Sequence, residues 1–386
     1  MFYIISLTES VLTKHGNRHP SLATAITSKN GEVTYISGDF YHAEKEFFKQ
    51  EVIYGESKKL DYKLIIFKCL GYFKNISVRR ILSNILFTVK TFFFLTNRVK
   101  ENDIILIPSR PVELIYIISL IKRIKKCKIV LDVSDVWPDA LVINNKFLYK
   151  TFQAYCNIYL YNSVKYYDMF LFTSPSYTDW IKRYYGENKK IFSPLGYERK
   201  RWKSINEKKE NYPKINFVLV AVLQYQIDVS PFIESIANDP KYHLTIIGEN
   251  GNGQRYNEVM DLIRKKNILN VTFTGKIDPP KMSTYLDGMQ VGISPIISPL
   301  LANKFFDYIG ACLPIFNMGN IDMEMLVKKY DFGWSCPNSL EEIKITLKQI
   351  NSKNINLIKD NILKKREGFE REYINNDIIE NIYSLN

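Results

Sequence analysis

The sequence predicts an α/β protein with two doubly wound parallel sheets. Three observations support this prediction: a length of 386 residues, apolar runs that alternate with helical segments, and a charged stretch near the middle of the chain. A chain of this length usually exceeds a single hydrophobic core. Hydrophobic residues make up 46% of the chain, which is typical of a folded protein and excludes a disordered one.

Short runs rich in β-branched residues recur along the chain, each followed by helical or mixed sequence. Such continuous apolar runs are typical of parallel strands buried on both faces, with helices as the crossover connections. In the first half the predicted strands are FYIISL (2–7), EVTYIS (32–37), DIILIPS (103–109), KIVLDVS (128–134) and MFLFTS (169–174). In the second half they are NFVLVAVL (216–223), HLTIIG (243–248), VTFTGK (271–276), VGISPII (291–297) and PIFNMG (314–319).

The stretch ERKRWKSINEKKENYPK (198–214) is charged, has no apolar period and is predicted to be a linker. We therefore predict a first domain over residues 1–200 and a second over residues 201–365. The segment 366–386 has a helical pattern, and we expect it to pack back toward the first domain. Ligands of doubly wound sheets bind at the carboxyl ends of the strands, so the site is expected there.

Cysteine usage and the N-terminal sequence favour a cytoplasmic protein. The five cysteines form no C-x-x-C pair and no metal-like spacing with the four histidines, which is typical of reduced thiols and disfavours a zinc site. MFYIISLTES lacks a basic n-region and a cleavage site, so no signal peptide is expected. The most apolar window, residues 81–97, is interrupted by Asn84 and Lys90 and is too short to span a bilayer.

The net charge of +13 is concentrated in one region. Between Lys58 and Lys100 there are ten basic residues and a single acidic one, Asp61, interleaved with aromatic and aliphatic residues. This composition suits the anionic cytoplasmic leaflet, so we expect residues 58–100 to contact an anionic membrane surface. A solvated helix face with an ordinary core side is the alternative. Nucleic acid is not expected as a partner, because no helix-turn-helix, finger or RNP-like motif accompanies the charge.

The stretch ANKFFDYIGACLPIF (302–316) places a cation and a carboxylate at the start of a helix that follows a predicted strand. Asn303 is a suitable N-cap residue, and Asn303, Lys304 and Asp307 are spaced to share one side of the first turn. Helix amides and Lys304 suit a phosphate, whereas Asp307 can accept hydrogen bonds from a ribose diol. The structural alternative is a dipole-stabilising aspartate beside a lysine that extends along the surface.

NKFFDYIGACLPIF resembles the donor-binding motif of family 4 glycosyltransferases, which are retaining enzymes of the GT-B fold. The resemblance implies two Rossmann-like domains facing each other across a cleft, with Asp307 holding the ribose of a nucleotide-sugar donor. Residues 128–141 also resemble a segment of a subgroup that builds surface polysaccharides. The other similar segments, in the same order as in the family, are HGNRHPSLATAITSKNGEVTYISG (15–38), KIVLDVSDVWPDAL (128–141), SPLGYERKRW (193–202), LTIIGENGNG (244–253) and VTFTGKI (271–277).

The sequence departs from the family pattern at three places. Pro299 occupies the position of a glutamate that contacts the donor sugar, so sugar recognition is expected from the backbone of residues 298–302 or from elsewhere. Ser134 replaces a residue that is histidine in many members, and that role is not carried over. The loop QYQIDVS lacks the Arg and Lys that hold the diphosphate in the family. The cations expected to replace them are Lys304, which is preferred, Lys276 and Arg255.

The remaining candidates follow the strand ends. Asp135 is a candidate base, and Arg18 is expected to pair with phosphate or, alternatively, with a surface carboxylate. His19, a further cleft candidate, is better explained by packing or solvation than by catalysis. Asp132 and Asp135 have the wrong spacing for a metal-binding D-x-D. Further cleft candidates are Gly16 and Asn17 in the first loop, Trp137 as a rigid wall, and Gly248 in the donor loop.

Together these features imply a retaining transferase that adds a sugar to a lipid-linked glycan in capsule, O-antigen or other surface polysaccharide synthesis. We expect it at the inner face of the cytoplasmic membrane, with no cofactor and no metal. Helix amides and cations would stabilise the leaving diphosphate, and same-face attack is preferred because no carboxylate is convincingly placed as a nucleophile. Two alternatives remain: a GT-B epimerase that acts on the donor alone, and a degenerate GT-B chain that binds or scaffolds other enzymes.

Overall fold

The computed structural model describes two compact units. The first comprises Met1–Pro194 together with the chain end from Asn375, and the second comprises Leu195–Ile374. The boundary thus lies at 194/195, where the sequence predicted 200/201. Residues not described are 14–16, 75–76, 142, 144, 186–188, 203–210, 224–225, 249–252 and 386, and the side chains of residues 185 and 279.

The described residues of the first unit build a seven-stranded parallel sheet. Its strands are β1 (Phe2–Ile5), β2 (Val33–Gly38), β5 (Lys63–Phe67), β6 (Ile104–Pro108), β7 (Lys128–Val133), β8 (Met169–Phe172) and β9 (Lys189–Phe192). A short antiparallel pair, β3 (Phe40–Tyr41) and β4 (Glu46–Phe47), lies outside this sheet. The order across the sheet is β5-β2-β1-β6-β7-β8-β9.

Helices connect these strands, as parallel pairing requires. They are α1 (Arg18–Ser28), α2 (Gln50–Ser57), α3 (Val78–Thr96), α4 (Val112–Lys125), α5 (Lys146–Ser163) and α6 (Tyr177–Tyr185), with a 3₁₀ turn at Val164–Tyr166. Helix α4 packs between α3 and α5. None of the helices in the described part of the chain is long and apolar enough to cross a membrane.

The second unit contains a parallel sheet of six strands in its described residues. The strands are β10 (Ile215–Val220), β11 (Tyr242–Ile247), β12 (Val271–Gly275), β13 (Val291–Ser294), β14 (Ile315–Met318) and β15 (Gly333–Cys336). Their order is β12-β11-β10-β13-β14-β15. The first strand of the unit therefore lies in the middle, and the chain reverses its direction of travel across the sheet between β10 and β13.

Helices of the second unit pack with its strands in a shared hydrophobic core. They are α7 (Ser230–Ile236), α8 (Gln254–Lys265), α9 (Met282–Asp287), α10 (Asn303–Gly310), α11 (Ile321–Tyr330), α12 (Leu340–Leu347) and α13 (Ser352–Lys365). The 3₁₀ turns are Arg199–Trp202, Pro279–Lys281 and Arg366–Phe369. The last helix, α14 (Arg371–Tyr383), begins in the second unit and continues into the first.

Every predicted strand run overlaps an observed strand, and the edge strand β12 is among them, whereas three other edge strands were not predicted. Strands β5, β9 and β15 lie at sheet edges and are only partly buried. An edge strand is not covered like a central one, so its sequence lacks the continuous apolar run that marks a buried strand. Because β5 falls within residues 58–100, that basic segment is not one continuous amphipathic element.

Candidate functional site

Strands β10 and β13 separate at their carboxyl ends, and the ring of Tyr308 occupies the gap. Its hydroxyl accepts a hydrogen bond from Val220 N (3.1 Å) and lies within donating distance of Val218 O (3.2 Å) and Ile293 O (3.1 Å). The ring packs against Gly292, where a Cβ would come within 2.5 Å of it. The Tyr308 side chain, which comes from α10, therefore keeps β10 and β13 apart at the point where the strand order reverses. Doubly wound sheets bind ligands at this point.

A pocket of about 360 Å³ opens at this point. It is formed by the end of β10 and the loop after it, the loop between β13 and α10, and the first turn of α10. Three residues predicted from the sequence, Asn303, Lys304 and Asp307, all line it. The other lining residues are Val220, Ala221, Val222, Gln226, Ile227, Ile296, Leu300 and Ala302.

Lys304 is a buried cation at the amino end of α10. It is only 8% exposed, and within the described residues its Nζ has no hydrogen-bond partner. Burial lowers its pKa to about 8, because removal from water disfavours the charged form. The amides of the first helical turn add a partial positive charge. This arrangement favours an anion in the pocket.

Asp307 lies one turn along from Lys304 and is partly exposed. Its Oδ1 lies 3.3 Å from Arg201 Nη1. Burial raises its pKa; Arg201 opposes this shift and Glu198 adds to it. Arg201 also lies over the ring of Trp202, with Cζ 4.9 Å from the ring centre. Residues 199–202 were predicted to belong to a linker; instead they form a 3₁₀ turn whose buried tryptophan packs within the second unit.

The sequence predicted Asn303 as the N-cap of α10, and this prediction is wrong. The N-cap is Ala302, which has extended backbone angles and accepts from Phe305 N at 3.0 Å. Asn303 is the first helical residue, so its exposed side chain contributes to the pocket lining.

Asn320 holds the loop between β13 and α10. Its side-chain amide donates to Ser298 O (2.6 Å) and Leu300 O (2.9 Å), and its side-chain oxygen accepts from Met323 N (2.9 Å). Pro299 is exposed between these two anchored carbonyls. The sequence suggested sugar recognition by this backbone; two of its carbonyl oxygens are engaged by Asn320.

The other donor-loop candidates occupy different positions. Gly248 follows β11, where a Cβ would lie 1.9 Å from Ala221 O, so glycine is required for the close approach of β11 to β10. Arg255 pairs with Glu258 at 2.9 Å and lies 3.5 Å from Asp228. Lys276 is exposed after β12. Of the three candidate cations, Lys304 is the one that lines the pocket formed by described residues.

In the first unit, Arg18 and His19 belong to a buried charge network. Arg18 binds Asp132 through Nε (2.6 Å) and Nη2 (3.0 Å), and also donates to Ser193 Oγ and Pro194 O. The phosphate expected for Arg18 is therefore replaced by a carboxylate, which is buried rather than on the surface.

His19 bridges two carboxylates in the same network. Its Nδ1 lies 2.7 Å from Glu9 Oε2, and its Nε2 lies 2.9 Å from Asp132 Oδ2. Burial would lower the pKa of His19, but Glu9 and Asp132 outweigh it and raise the pKa to about 9. Burial likewise opposes ionisation of Asp132, yet Arg18 and His19 hold its pKa well below the usual range. His19 is thus a packed, ion-paired histidine.

Cations and aromatic rings gather at the carboxyl ends of neighbouring strands in the first unit. Lys45 Nζ lies 3.2 Å from His42 Nδ1 and 4.9 Å from the centre of the Tyr72 ring. Arg80 Cζ lies 5.5 Å from the same ring. Arg110 follows β6 and acts electrostatically on both His42 and Arg80. We refer to Lys45, Arg80, Arg110, His42 and Tyr72 as the basic cluster.

Asp135 and Trp137 contact this basic cluster. Asp135 Oδ2 pairs with Arg110 Nη1 at 3.0 Å, and the Trp137 ring lies 5.0 Å from Arg80 Cζ. Trp137 is buried in the core of the first unit, and its carbonyl accepts from Trp180 Nε1. Asn17 is exposed at the N-cap of α1. Gly16 lies outside the described residues.

Sequence reasoning missed Asn320, Arg201 and the cations of the basic cluster. The position of Asn320 between β14 and α11 is typical of a helix cap. That pattern does not predict its contacts with the loop between β13 and α10. Trp202, an aromatic residue in the charged stretch 198–214, was the available sign that this stretch packs against a domain. Among the described residues no three His, Cys, Asp or Glu side chains group as metal ligands would.

Comparison with known proteins gives matches to solved structures only. No protein-family model matches the chain, and no curated protein matches it. Sucrose-phosphate synthase from Thermosynechococcus elongatus is similar with a TM-score of 0.72 and 11% identity, over 100% of this chain and 98% of that one. HepE from Anabaena in complex with UDP gives 0.69 and 11%, over 99% of each chain. A glycosyltransferase from Rickettsia africae gives 0.68 and 12%, over 100% and 98%.

These likenesses extend over the full chain, whose described residues contain the two parallel sheets. They confirm the fold class expected from the sequence: the chain has the GT-B fold, built from two Rossmann-like units.

Proposed function

We propose that this protein is a glycosyltransferase that uses a nucleotide-sugar donor. The observation that carries the proposal is Lys304, a buried cation without a partner among the described residues, which lines a pocket at the switch point of a Rossmann-like sheet. Asp307 lines the same pocket one helical turn further along. Their spacing suits a diphosphate at the amino end of α10 and a ribose beside it.

The donor would be held by three kinds of contact. Lys304 and the first-turn amides of α10 would bind the diphosphate, and Asp307 would accept hydrogen bonds from the ribose hydroxyls. The Arg201 contact engages Oδ1 of Asp307, so the ribose would share this carboxylate with Arg201. Because HepE, a structural neighbour, was solved with UDP and with UDP-glucose, uridine is the first base to test.

The same groups would stabilise the departing diphosphate during transfer. Negative charge builds on the leaving group as the glycosidic bond breaks, and a fixed cation with helix amides is suited to stabilise it without a metal. We propose same-face attack with retention of configuration, in which the leaving phosphate helps to deprotonate the acceptor. Asp135, which is paired with Arg110, is the alternative base.

We further propose that the acceptor is a lipid-linked glycan at an anionic membrane surface in surface-polysaccharide synthesis. Helix α3 supports this proposal, because most of its buried residues are polar while a series of its apolar residues is exposed. Five of its seven buried residues are polar: Arg80, Ser83, Asn84, Thr88 and Thr91. Its exposed apolar residues recur at helical spacing: Val78, Leu82, Ile85, Val89 and Phe93.

Basic residues accompany this apolar stripe, which favours an anionic bilayer as its partner. Lys68, Lys74, Arg79 and Arg98 are exposed close in sequence to α3. Vesicle co-sedimentation tests the proposal: Leu82→Gln with Phe93→Gln should abolish binding to anionic vesicles, and Leu357→Gln, an exposed residue of α13, should not. Equal sedimentation of the double variant, or concentration-dependent dimers without lipid, would contradict a bilayer partner.

The central experiment is donor turnover by an Asp307→Ala variant. Donor hydrolysis or transfer should collapse while the thermal unfolding profile is kept, with Asp287→Ala at the end of α9 as the control. Full activity of Asp307→Ala would remove the assignment. An epimer formed from donor alone would instead identify an epimerase, and the absence of any heat of binding with nucleoside diphosphates would favour a scaffold.

A further inference from the structure

The 3₁₀ turn at residues 199–202 contacts α10 at two positions that lie one helical turn apart. The Trp202 ring packs against Gly310, where a Cβ would come within 2.5 Å of Cδ1 of the indole. Arg201 Nη1 lies 3.3 Å from Oδ1 of Asp307. Because residues three apart share one side of a helix, the tryptophan and the arginine engage the same face of α10. The turn is therefore joined to the helix that carries the pocket aspartate.

The Trp202 contact restricts the orientation of Arg201. Trp202 is only 4% exposed, and Arg201 Cζ lies 4.9 Å from the centre of its ring. A guanidinium over an indole face is held by cation–π attraction in addition to packing. The Nε of Arg201 is buried and has no hydrogen-bond partner among the described residues, so the guanidinium reaches Asp307 through Nη1.

The Arg201 contact leaves one carboxylate oxygen of Asp307 available to a ligand. Arg201 engages Oδ1, and no described residue donates a hydrogen bond to Oδ2. The Asp307 side chain is 20% exposed and lines the pocket together with Lys304. A side chain that is already held in one orientation loses less conformational freedom when a ligand binds to it.

Arg201 also favours the charge state that a sugar hydroxyl requires of its acceptor. Burial raises the pKa of Asp307, and the positive charge of Arg201 opposes this shift. An ionised carboxylate accepts hydrogen bonds through both oxygens, whereas a protonated one has lost part of that capacity. Orientation and charge therefore both prepare Asp307 to accept from a hydroxyl.

We propose that Arg201 is a positioning residue that orients the carboxylate of Asp307 for recognition of the ribose diol of the donor. This inference rests on the proposed function and adds a residue that determines selectivity for a ribonucleotide. Among the described residues that line the pocket Arg201 is not included. It therefore acts through Asp307 and not on the ligand itself.

The test compares two ligands that differ only in the ribose hydroxyls. The probes are the tightest-binding of ADP, CDP, GDP and UDP, and the 2′,3′-dideoxy analogue of that nucleotide. The ratio of their dissociation constants, measured by calorimetry on the full chain, isolates the ribose contact because all other contacts are common to both. We expect a ratio of about tenfold or more in the native protein, as for hydrogen bonds to a charged group.

Substitution of Arg201 should change this ratio and not simply weaken both ligands. Arg201→Met should lower the ratio by about threefold or more, and Arg201→Lys, which keeps a cation, should restore part of it. In an Asp307→Ala background, Arg201→Met should have no further effect on the ratio. Arg199→Met is the matched control, because Arg199 belongs to the same turn, is 71% exposed and lies 3.6 Å from Glu370.

A second variant separates Arg201 from Asp307 without changing any charge. In Gly310→Ala the new methyl group would meet the Trp202 ring, so residues 199–202 should shift away from α10. Alanine favours a helix more than glycine does, so α10 itself should persist. The ratio should fall as it does in Arg201→Met, and thermal unfolding of each variant checks that the fold is kept.

The outcomes distinguish this inference from the proposed function. A native ratio in Arg201→Met, or equal weakening of both ligands, would overturn the positioning role, even where Asp307→Ala lowers affinity as the proposed function requires. Nucleoside diphosphate affinity that is unchanged in Asp307→Ala, or no binding of any of the four nucleotides to native protein, would overturn the proposed function and this inference with it.

Discussion

The carboxyl edges of the two sheets carry charge in contrasting ways. In the first unit Arg18, Asp132, His19 and Glu9 neutralise one another within a buried network. In the second unit Lys304 is equally buried, but no described carboxylate lies within ion-pair distance of it. The first arrangement is self-sufficient and stabilises the fold. The second leaves a buried cation without a described partner, which is the feature on which the proposed function rests.

The sequence predicted both Arg18 and Lys304 as phosphate ligands. In the structure the two differ in whether a carboxylate pairs with the cation. Taking a charge out of water is costly, and a buried ion is tolerated when a partner restores the lost interactions. Arg18 has that partner in Asp132. Lys304 has no such partner among the described residues, and burial therefore lowers its pKa to about 8. Four predictions test the contrast, beginning with the largest effect.

Breaking the network of the first unit should have the largest effect. Asp132→Ala leaves Arg18 and His19 as buried cations with fewer partners, so the free energy of unfolding should fall by about 3–5 kcal/mol. Denaturant unfolding followed by circular dichroism measures the change. Asp179→Ala, an exposed aspartate of α6, should change it by less than about 0.5 kcal/mol. Equal effects of the two variants would refute a stabilising role for the network.

The same network should make the protein less stable at alkaline pH. The pKa of His19 is raised from 6.5 to about 9, so its stabilisation is complete below pH 6.5 and is lost as the pH rises through 9. A shift of this size corresponds to roughly 3 kcal/mol. Unfolding curves between pH 6 and 9.5 measure the loss. NMR titration should find the imidazole protonated at pH 8, and a normal titration near 6.5 would contradict the network.

Removing the cation of the second unit should have opposite effects on binding and stability. Lys304→Met should weaken nucleoside diphosphate binding by about 10- to 100-fold, the range expected for a charge-assisted contact. The ligand-free variant should unfold at a higher temperature, because a buried charge is replaced by an apolar chain of similar shape. Calorimetry and thermal scans measure the two quantities, with the exposed Lys328→Met as control. A variant with reduced stability and unchanged binding would make Lys304 merely structural.

The smallest expected effect is the pH dependence of donor binding. Lys304 is charged below its pKa of about 8 and neutral above it, so diphosphate affinity should fall above pH 8 by up to about tenfold per pH unit. The Lys304→Arg variant keeps its charge and should give a flatter profile. Titrations at pH 7, 8 and 9 compare the two proteins. Parallel profiles would show that another group controls the pH dependence.

Much of the fold was predictable because its central strands are buried on both faces and have continuous apolar runs. The edge strands β5 and β9 lack that signal, since solvent on one side admits lysines such as Lys63 and Lys189. Lys304 and Asp307 were predictable because their spacing along one helix places them together. Arg18 and Asp132 are 114 residues apart, so no local pattern could reveal their pairing. The same holds for Asn320 and the loop that it supports.

The hydroxyl of Tyr308 has a consequence for how a ligand enters the second unit. It satisfies backbone groups of both central strands at the place where their own pairing stops. The strands cannot close together without expelling a fully buried aromatic ring. The separation of the two strands is therefore preorganised, and a ligand that binds at their carboxyl ends need not separate them. Any motion that accompanies turnover must come from the surrounding loops.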